Sequence, residues 1–323
     1  MLFGGWPGEE WWIRMVDFRC VRPNELIQVF DVINQVFRSR YDPTMQLEFP
    51  LLFSTENLQR VFIALEKGKV VSHMGYQKTE YIDQNRRLSV AFLGAVATLP
   101  EHRGTGIASR LLEMAEEAMR AEMIDLCLIS GNRSLYLRHG YSERGTTYEY
   151  LLTIPDTAPN VSVRAYSERD IDVVLAIYAQ EEKRFHRDAE AFRKLLGVYQ
   201  ALKGQEPRSI PIAQIGPTYL VYDHGIPAAY FTLRGNEKYP IEYAGDRESV
   251  LRGLQRLAKE TGHPFYVWVP ESDAAFLTLL ERKEPVINNR YRFPPSHTSK
   301  ILNETAFEDS LLLGMPLPGL NYV

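Results

Sequence analysis

Cysteine is nearly absent from this chain: its 323 residues include two, Cys20 and Cys127. So few thiols exclude a disulfide framework and a thiolate metal site, and they point to a reducing compartment in which both stay free. No uncharged apolar run is long enough to cross a bilayer, so no membrane contact is expected. A basic excess is missing as well. The 37 Lys and Arg are outnumbered by 41 Asp and Glu, and the cations are scattered, so there is no stripe for nucleic acid. No His, Cys or carboxylate cluster has metal-ligand spacing, and no metal is expected. The opening MLFGGWPGEEWWIRM lacks the basic flank and small-residue cleavage site of a signal peptide, which makes a cytoplasmic protein the expectation.

The composition that remains, 45% hydrophobic and 24% charged, can bury proper cores, and 323 residues suggest two domains. Residues 1–15 precede the first regular pattern and read as a flexible extension. VDFRCV reads as a strand, followed after Pro23 by a helix with Leu26, Val29, Phe30, Ile33 and Phe37 on one face. Two apolar runs joined by Glu66-Lys67-Gly68-Lys69 form a hairpin, and LSVAFLGAVAT is a strand buried on both faces. After it, Ala108, Leu111, Leu112, Ala115 and Met119 make a helical stripe. DLCLIS is a strand, NRSLYLRHGY a short helix with Asn132 as N-cap and Gly140 at its C-terminal end, and TYEYLLTI is expected to close the unit. A linker at 155–160 leads to the same element order again. The reading is an α+β fold with mixed sheets: a first unit over 16–155, a duplicated and degenerate one over 160–293, and a tail over 294–323.

The stretch ATLPEHRGTGIASRLL runs a loop with two glycines straight into a helix. The first four N–H groups of a helix have no internal partner, and the macrodipole puts partial positive charge there. Gly104 and Gly106 let an anion approach the backbone, and Arg103 adds a fixed cation, so a phosphate-bearing ligand fits. The spacing excludes a P-loop and a dinucleotide-binding fingerprint.

The same residues resemble motif A of the GNAT superfamily of N-acetyltransferases, Q/R-x-x-G-x-G/A, with Arg103, Gly106 and Ala108 at its defined positions. The resemblance covers roughly residues 17–154. It implies acetyl-CoA as co-substrate, its pyrophosphate on the backbone of Arg103, Gly104, Thr105, Gly106, Ile107, Ala108 and Ser109, and its pantetheine arm along Val96, Ala97 and Thr98. A second landmark is present as GNRSLYLRHGY, in which Asn132 matches a cofactor-contacting Asn and Tyr136 the Tyr commonly assigned as general acid. The chemistry agrees. Amine attack on a thioester releases a thiolate, and a phenol with pKa of about 10 can protonate it.

The incoming amine needs a base or a water chain, and Val90 stands where some relatives carry a Glu. His73, Glu80 and Glu48 are candidates by place and residue type. His73, alternating with Val71 and Gly75, also reads as a hydrogen-bonded structural histidine. In the second unit the matching junction is EYAGDRESVLRGL, where Asp246 and Glu248 satisfy the helix dipole themselves, so this copy is not expected to bind coenzyme A.

A functional unit followed by a degenerate copy is similar to the Eis-type acetyltransferases, without their sterol-carrier-like domain. In those proteins the chain's own C-terminal carboxylate assists proton transfer, which would bring Val323 to the site. The expected activity is acetyl transfer to a primary amine of a small molecule or peptide; the alternative is a non-catalytic acyl-CoA-binding or regulatory module.

Overall fold

The structure, a computed structural model, describes residues 16–38, 44–84, 86–143, 145–203, 215–234, 239–282, 286–293 and 297–303. The expected extension 1–15 and most of the expected tail, Val323 included, lie outside the described residues.

Strand β1 (Val16–Cys20) leads into α1 (Leu26–Phe37) and the short α2 (Met45–Glu48). Next come β2 (Val61–Glu66) and β3 (Lys69–Asp83), an antiparallel hairpin. Lys67 and Gly68 turn it with φ of 51° and 77°, the left-handed pair that suits the right-handed twist of the strands. β4 (Arg86–Thr98) lies antiparallel to β3. Helix α3 (Ile107–Ala121) then crosses over to β5 (Leu126–Ser130), which is parallel to β4. The short α4 (Ser134–Arg138) and β6 (Ser142–Glu143) follow.

Two apolar clusters sandwich this sheet. On one face α1 packs Val29, Val32 and Ile33 against Val90 and Phe92. On the other, α3 packs Leu111, Leu112, Ala115 and Met119 against Met74, Tyr76 and Leu93. The stripe expected on α3 is buried except at Ala108, which is half-buried while its neighbour Ile107 takes the buried place. Burying each of these large side chains contributes about 1.5–3 kcal/mol.

After β7 (Thr147–Leu152) the order repeats with β8 (Ser162–Ala165), α5 (Ile171–Tyr178), β9 (Lys183–Phe185) and α6 (Ala189–Lys203). The hairpin β10 (Thr218–Asp223) and β11 (Ile226–Leu233) precedes β12 (Pro240–Gly245), α7 (Arg247–Thr261), β13 (Tyr266–Pro270) and α8 (Ala274–Arg282). The chain ends its described course in β14 (Val286–Phe293) and β15 (His297–Ile301). β9 pairs with the end of β3, Tyr81 facing Phe185, which joins the second half to the first sheet.

The strand expected to close the first unit does not do so. β7 pairs with β13 and β14, burying Tyr150 and Leu152 in the core of the second half. Its place beside β5 is taken by β15, with Ile301 opposite Leu126 and His297 opposite Ser130, and β6 pairs on the far side of β15. The first sheet therefore runs β1-β2-β3-β4-β5-β15-β6. An unpaired strand edge is satisfied by any strand of suitable register, and the partner need not be next in sequence. Lys300 locks the exchange by holding Glu116 of α3, with Nζ 2.7 Å from Oε2, and Glu116 is almost fully buried.

Candidate active site

β4 and β5 are hydrogen-bonded only from Val90–Leu93 against Leu126–Ile129. Beyond Leu93 the two strands separate. The β3–β4 ladder also skips there, from Gly75 opposite Gly94 to His73 opposite Ala97, and Ala95 takes φ +50°. This is a β-bulge, and it bends β4 away from β5. The opening holds a cavity of about 220 Å³ between Phe37, Met45 and Phe49 of the α1–α2 region and Val96, Arg133 and Tyr136.

A wider groove of about 980 Å³ continues from it past the loop at residues 102–109. Val96, Arg133 and Tyr136 line both, so the two spaces meet at these three side chains. α3 starts on this groove with Gly106 at the N-cap at φ +84°, and no side chain caps the helix. Gly104 is also left-handed, at +78°. A Cβ at either glycine would meet nothing within 4 Å, so the space in front of the loop is open. Left-handed glycines and an uncapped first turn present backbone N–H groups to a guest, and the dipole favours an anion. Arg103 ties the loop to the end of β4 through Nε donating to the Thr98 carbonyl at 3.1 Å, and Thr105 Oγ1 donates to the His102 carbonyl at 2.7 Å. Arg103, Arg133 and Arg138 give the groove three guanidinium groups for phosphate oxygens.

Tyr136 is the third residue of α4 and only 4% exposed. Burial pushes its phenol up to about 12, against an opposing pull from Arg133. It is a neutral donor across the working pH range.

Most of the cofactor-binding residues read from the sequence converge on the groove: Val96, Thr98 and Arg103 to Ser109 line it. Three placements differ. Ala97 alternates to the opposite face of β4 and is buried against the α1 side. Asn132 neither caps α4, whose N-cap is Arg133, nor lines the groove; its Nδ2 donates to Glu143 Oε1 at 2.7 Å. His73 is fully buried, with Nδ1 2.9 Å from the Ala95 carbonyl, and it lines neither space. Burial lowers its pKa to about 4, and the imidazole is a packed structural group with no path to an amine.

The other base candidates are engaged elsewhere. Glu48 is held by Arg38 at 2.8 and 2.5 Å and by Thr44 at 2.7 Å. Glu80 pairs with Arg87 near the far end of β3. Sequence reasoning missed Arg38 and Arg133 on the wall of the smaller cavity. Arg133 sits within the GNRSLYLRHGY landmark, next to the Asn that drew attention.

A mixed sheet splayed beside a glycine loop, an uncapped helix start and a buried phenol are arranged as in a GNAT-type fold. Residues 17–144 match the family model of the acetyltransferase (GNAT) domain, and this part of the chain is such a domain. Solved structures agree on the fold across most of the molecule. A conserved protein of Enterococcus faecalis described as a probable N-acyltransferase aligns with a TM-score of 0.68 and 14% identity, over 90% of this chain and 74% of that one. A GCN5-related N-acetyltransferase from Kribbella flavida gives 0.64 and 16%, over 91% and 73%. Eis1 from Mycobacterium abscessus gives 0.59 and 14%, over 90% and 74%. No curated protein matches the chain.

Proposed function

We propose that this protein transfers an acetyl group from acetyl-CoA to a primary amine by direct attack. The observation that carries the reading is the joining of the two spaces at Val96, Arg133 and Tyr136. The pyrophosphate rests on the amides of residues 103–109, and the pantetheine arm runs along Val96 and Thr98 toward Tyr136. The amine enters from the smaller cavity. Its nitrogen attacks the thioester carbonyl carbon, the C–S bond breaks, and Tyr136 donates its proton to the departing thiolate while the ammonium proton leaves through water. Backbone amides of the bulged β4 polarise the carbonyl.

One observation favours a second reading, a non-catalytic acyl-CoA-binding module: among the described residues, no carboxylate or imidazole lines the smaller cavity. Thiol release from acetyl-CoA, screened against amino acids, peptides, polyamines and aminoglycosides, separates the two. A transferase releases coenzyme A with at least one amine. A binding module is stabilised thermally by acetyl-CoA and releases none.

A further inference from the structure

We propose that His73 is a positioning residue whose imidazole aims the Val96 amide into the opening between β4 and β5. The proposal rests on the transferase reading above. It starts from the bulge, where the β3–β4 register passes over Ala95 and Val96, so the peptide between them lies outside the regular ladder. Ala95 sits at φ +50°, a region that an alanine keeps only when its surroundings hold it there. The holder is His73, whose Nδ1 lies 2.9 Å from the Ala95 carbonyl oxygen.

A carbonyl can only accept, so Nδ1 carries the proton and the ring is the neutral Nδ1–H tautomer. Nε2 is then a bare lone pair, and it has no partner in the core. Gly75 makes room for the ring, since a Cβ there would stand 3.4 Å from Nε2 and 3.2 Å from Leu52 Cδ1. A buried ring with one nitrogen unsatisfied is an unfavourable way to fill space, and the bond from the other nitrogen is what it supplies.

The consequence follows from peptide geometry. In a planar trans peptide the C=O of one residue and the N–H of the next point in opposite directions. Drawing the Ala95 carbonyl toward β3 therefore turns the Val96 N–H away from β3, toward the side on which β5 has separated. Val96 lines both spaces there, beside Tyr136. Ser72, the preceding residue, acts in the same sense two residues along: its Oγ donates to the Ala97 carbonyl at 2.9 Å. The Val96 amide thus stands as a fixed donor for the charge that develops on the thioester oxygen, and it is held from behind by a side chain that never meets substrate.

The test compares His73→Leu, which keeps bulk without a donor, with His73→Asn, whose Nδ2–H can replace Nδ1–H. The readouts are kcat with the best amine from the screen, acetyl-CoA Kd by calorimetry, and thermal stability. His73→Leu is expected to lower kcat by about 10- to 100-fold, with Kd for acetyl-CoA within about threefold, and His73→Asn to recover most of the rate. A folded His73→Leu protein with wild-type kcat, or a His73→Asn protein as slow as His73→Leu, would overturn the proposal. Should His73→Leu fail to fold, a crystal of the wild type with the ketone analogue of acetyl-CoA, in which CH2 replaces sulfur, decides instead. The Val96 nitrogen is expected within hydrogen-bond distance of the ketone oxygen, and a Val96 N–H directed elsewhere refutes the role. If the wild type turns over no amine at all, the transferase reading fails, and the same crystal still judges where His73 aims the amide.

Discussion

Helices α3 and α7 occupy the same place in the two halves, each starting where a strand ends at an opening in the sheet, and their first turns are completed differently. α3 begins at Gly106 with no side chain on its amides. α7 begins at Asp246, whose Oδ2 accepts the Ser249 N–H at 2.7 Å. The preceding Gly245 N–H donates to Glu181 Oε1 at 2.8 Å, and Arg247 holds Glu181 at 2.8 Å and Asp273 at 2.7 Å. The chemistry differs in step with this. The third residue of α4 is Tyr136 and the third residue of α8 is the fully buried Phe276; the residue before α4 is Arg133 and the one before α8 is Asp273. A cavity of about 430 Å³ persists in the second half, but Glu181 and Asp273 stand on its wall. One backbone plan therefore offers an anion site where its amides lack partners and loses it where the chain brings its own carboxylates.

Giving the first half the residues of the second is the way to break this contrast. The largest effect is expected from Tyr136→Phe, which installs the phenyl ring of Phe276: kcat should fall by about 10²- to 10⁴-fold with acetyl-CoA Kd within about threefold. Steady-state thiol release and calorimetry read the two quantities, and an unchanged kcat would remove Tyr136 from the chemistry. Next is Gly106→Asp, the counterpart of Asp246. Gly106 has a left-handed φ of +84°, so the new side chain also strains the loop; its negative charge repels pyrophosphate, and acetyl-CoA should bind about 100-fold more weakly, near 3 kcal/mol.

Changing the second half sharpens the contrast from the other side. Arg247→Leu leaves Glu181 and Asp273 without their shared cation in a largely buried setting, and about 2 kcal/mol of stability should go, seen as a melting point lower by about 4 °C. The acetyl-CoA Kd should not move; a loss of affinity would mean that the second cavity contributes to binding. The smallest effect is in the pH profile. A phenol raised to about 12 keeps its proton until the pH passes that value, so the rate should climb as a Lys-like amine with pKa of about 10.4 loses its proton, with no alkaline fall below about pH 10. A fall centred near 8 or 9 would show that another acid serves.

The candidate site was legible where a backbone feature fixes local sequence. Arg103, Gly104 and Gly106 announce a loop that exposes its amides, and the α3 stripe fixes which way the helix faces. The turn Glu66-Lys67-Gly68-Lys69 was equally plain, since Gly68 adopts the left-handed φ of 77° that its residue type allows. Long-range partners were not legible. Nothing in TYEYLLTI distinguishes a sheet formed with its neighbours from one formed with Tyr266–Pro270, because alternation reports burial and not the identity of the covering strand. The Lys183–Phe185 strand and the Ala189–Lys203 helix went unread between the clearer repeat elements. His73 was noticed for its type, yet its effect runs through a carbonyl 22 residues away in sequence, and no local pattern encodes that.

Synthesis runs from the amino terminus, so the slot between β5 and β6 stands open until residues 297–301 have left the ribosome. Up to that moment the first half carries an unpaired strand edge, and Glu116 lacks its lysine. A product cut short before residue 297 would keep that edge exposed, a surface prone to pairing with other chains.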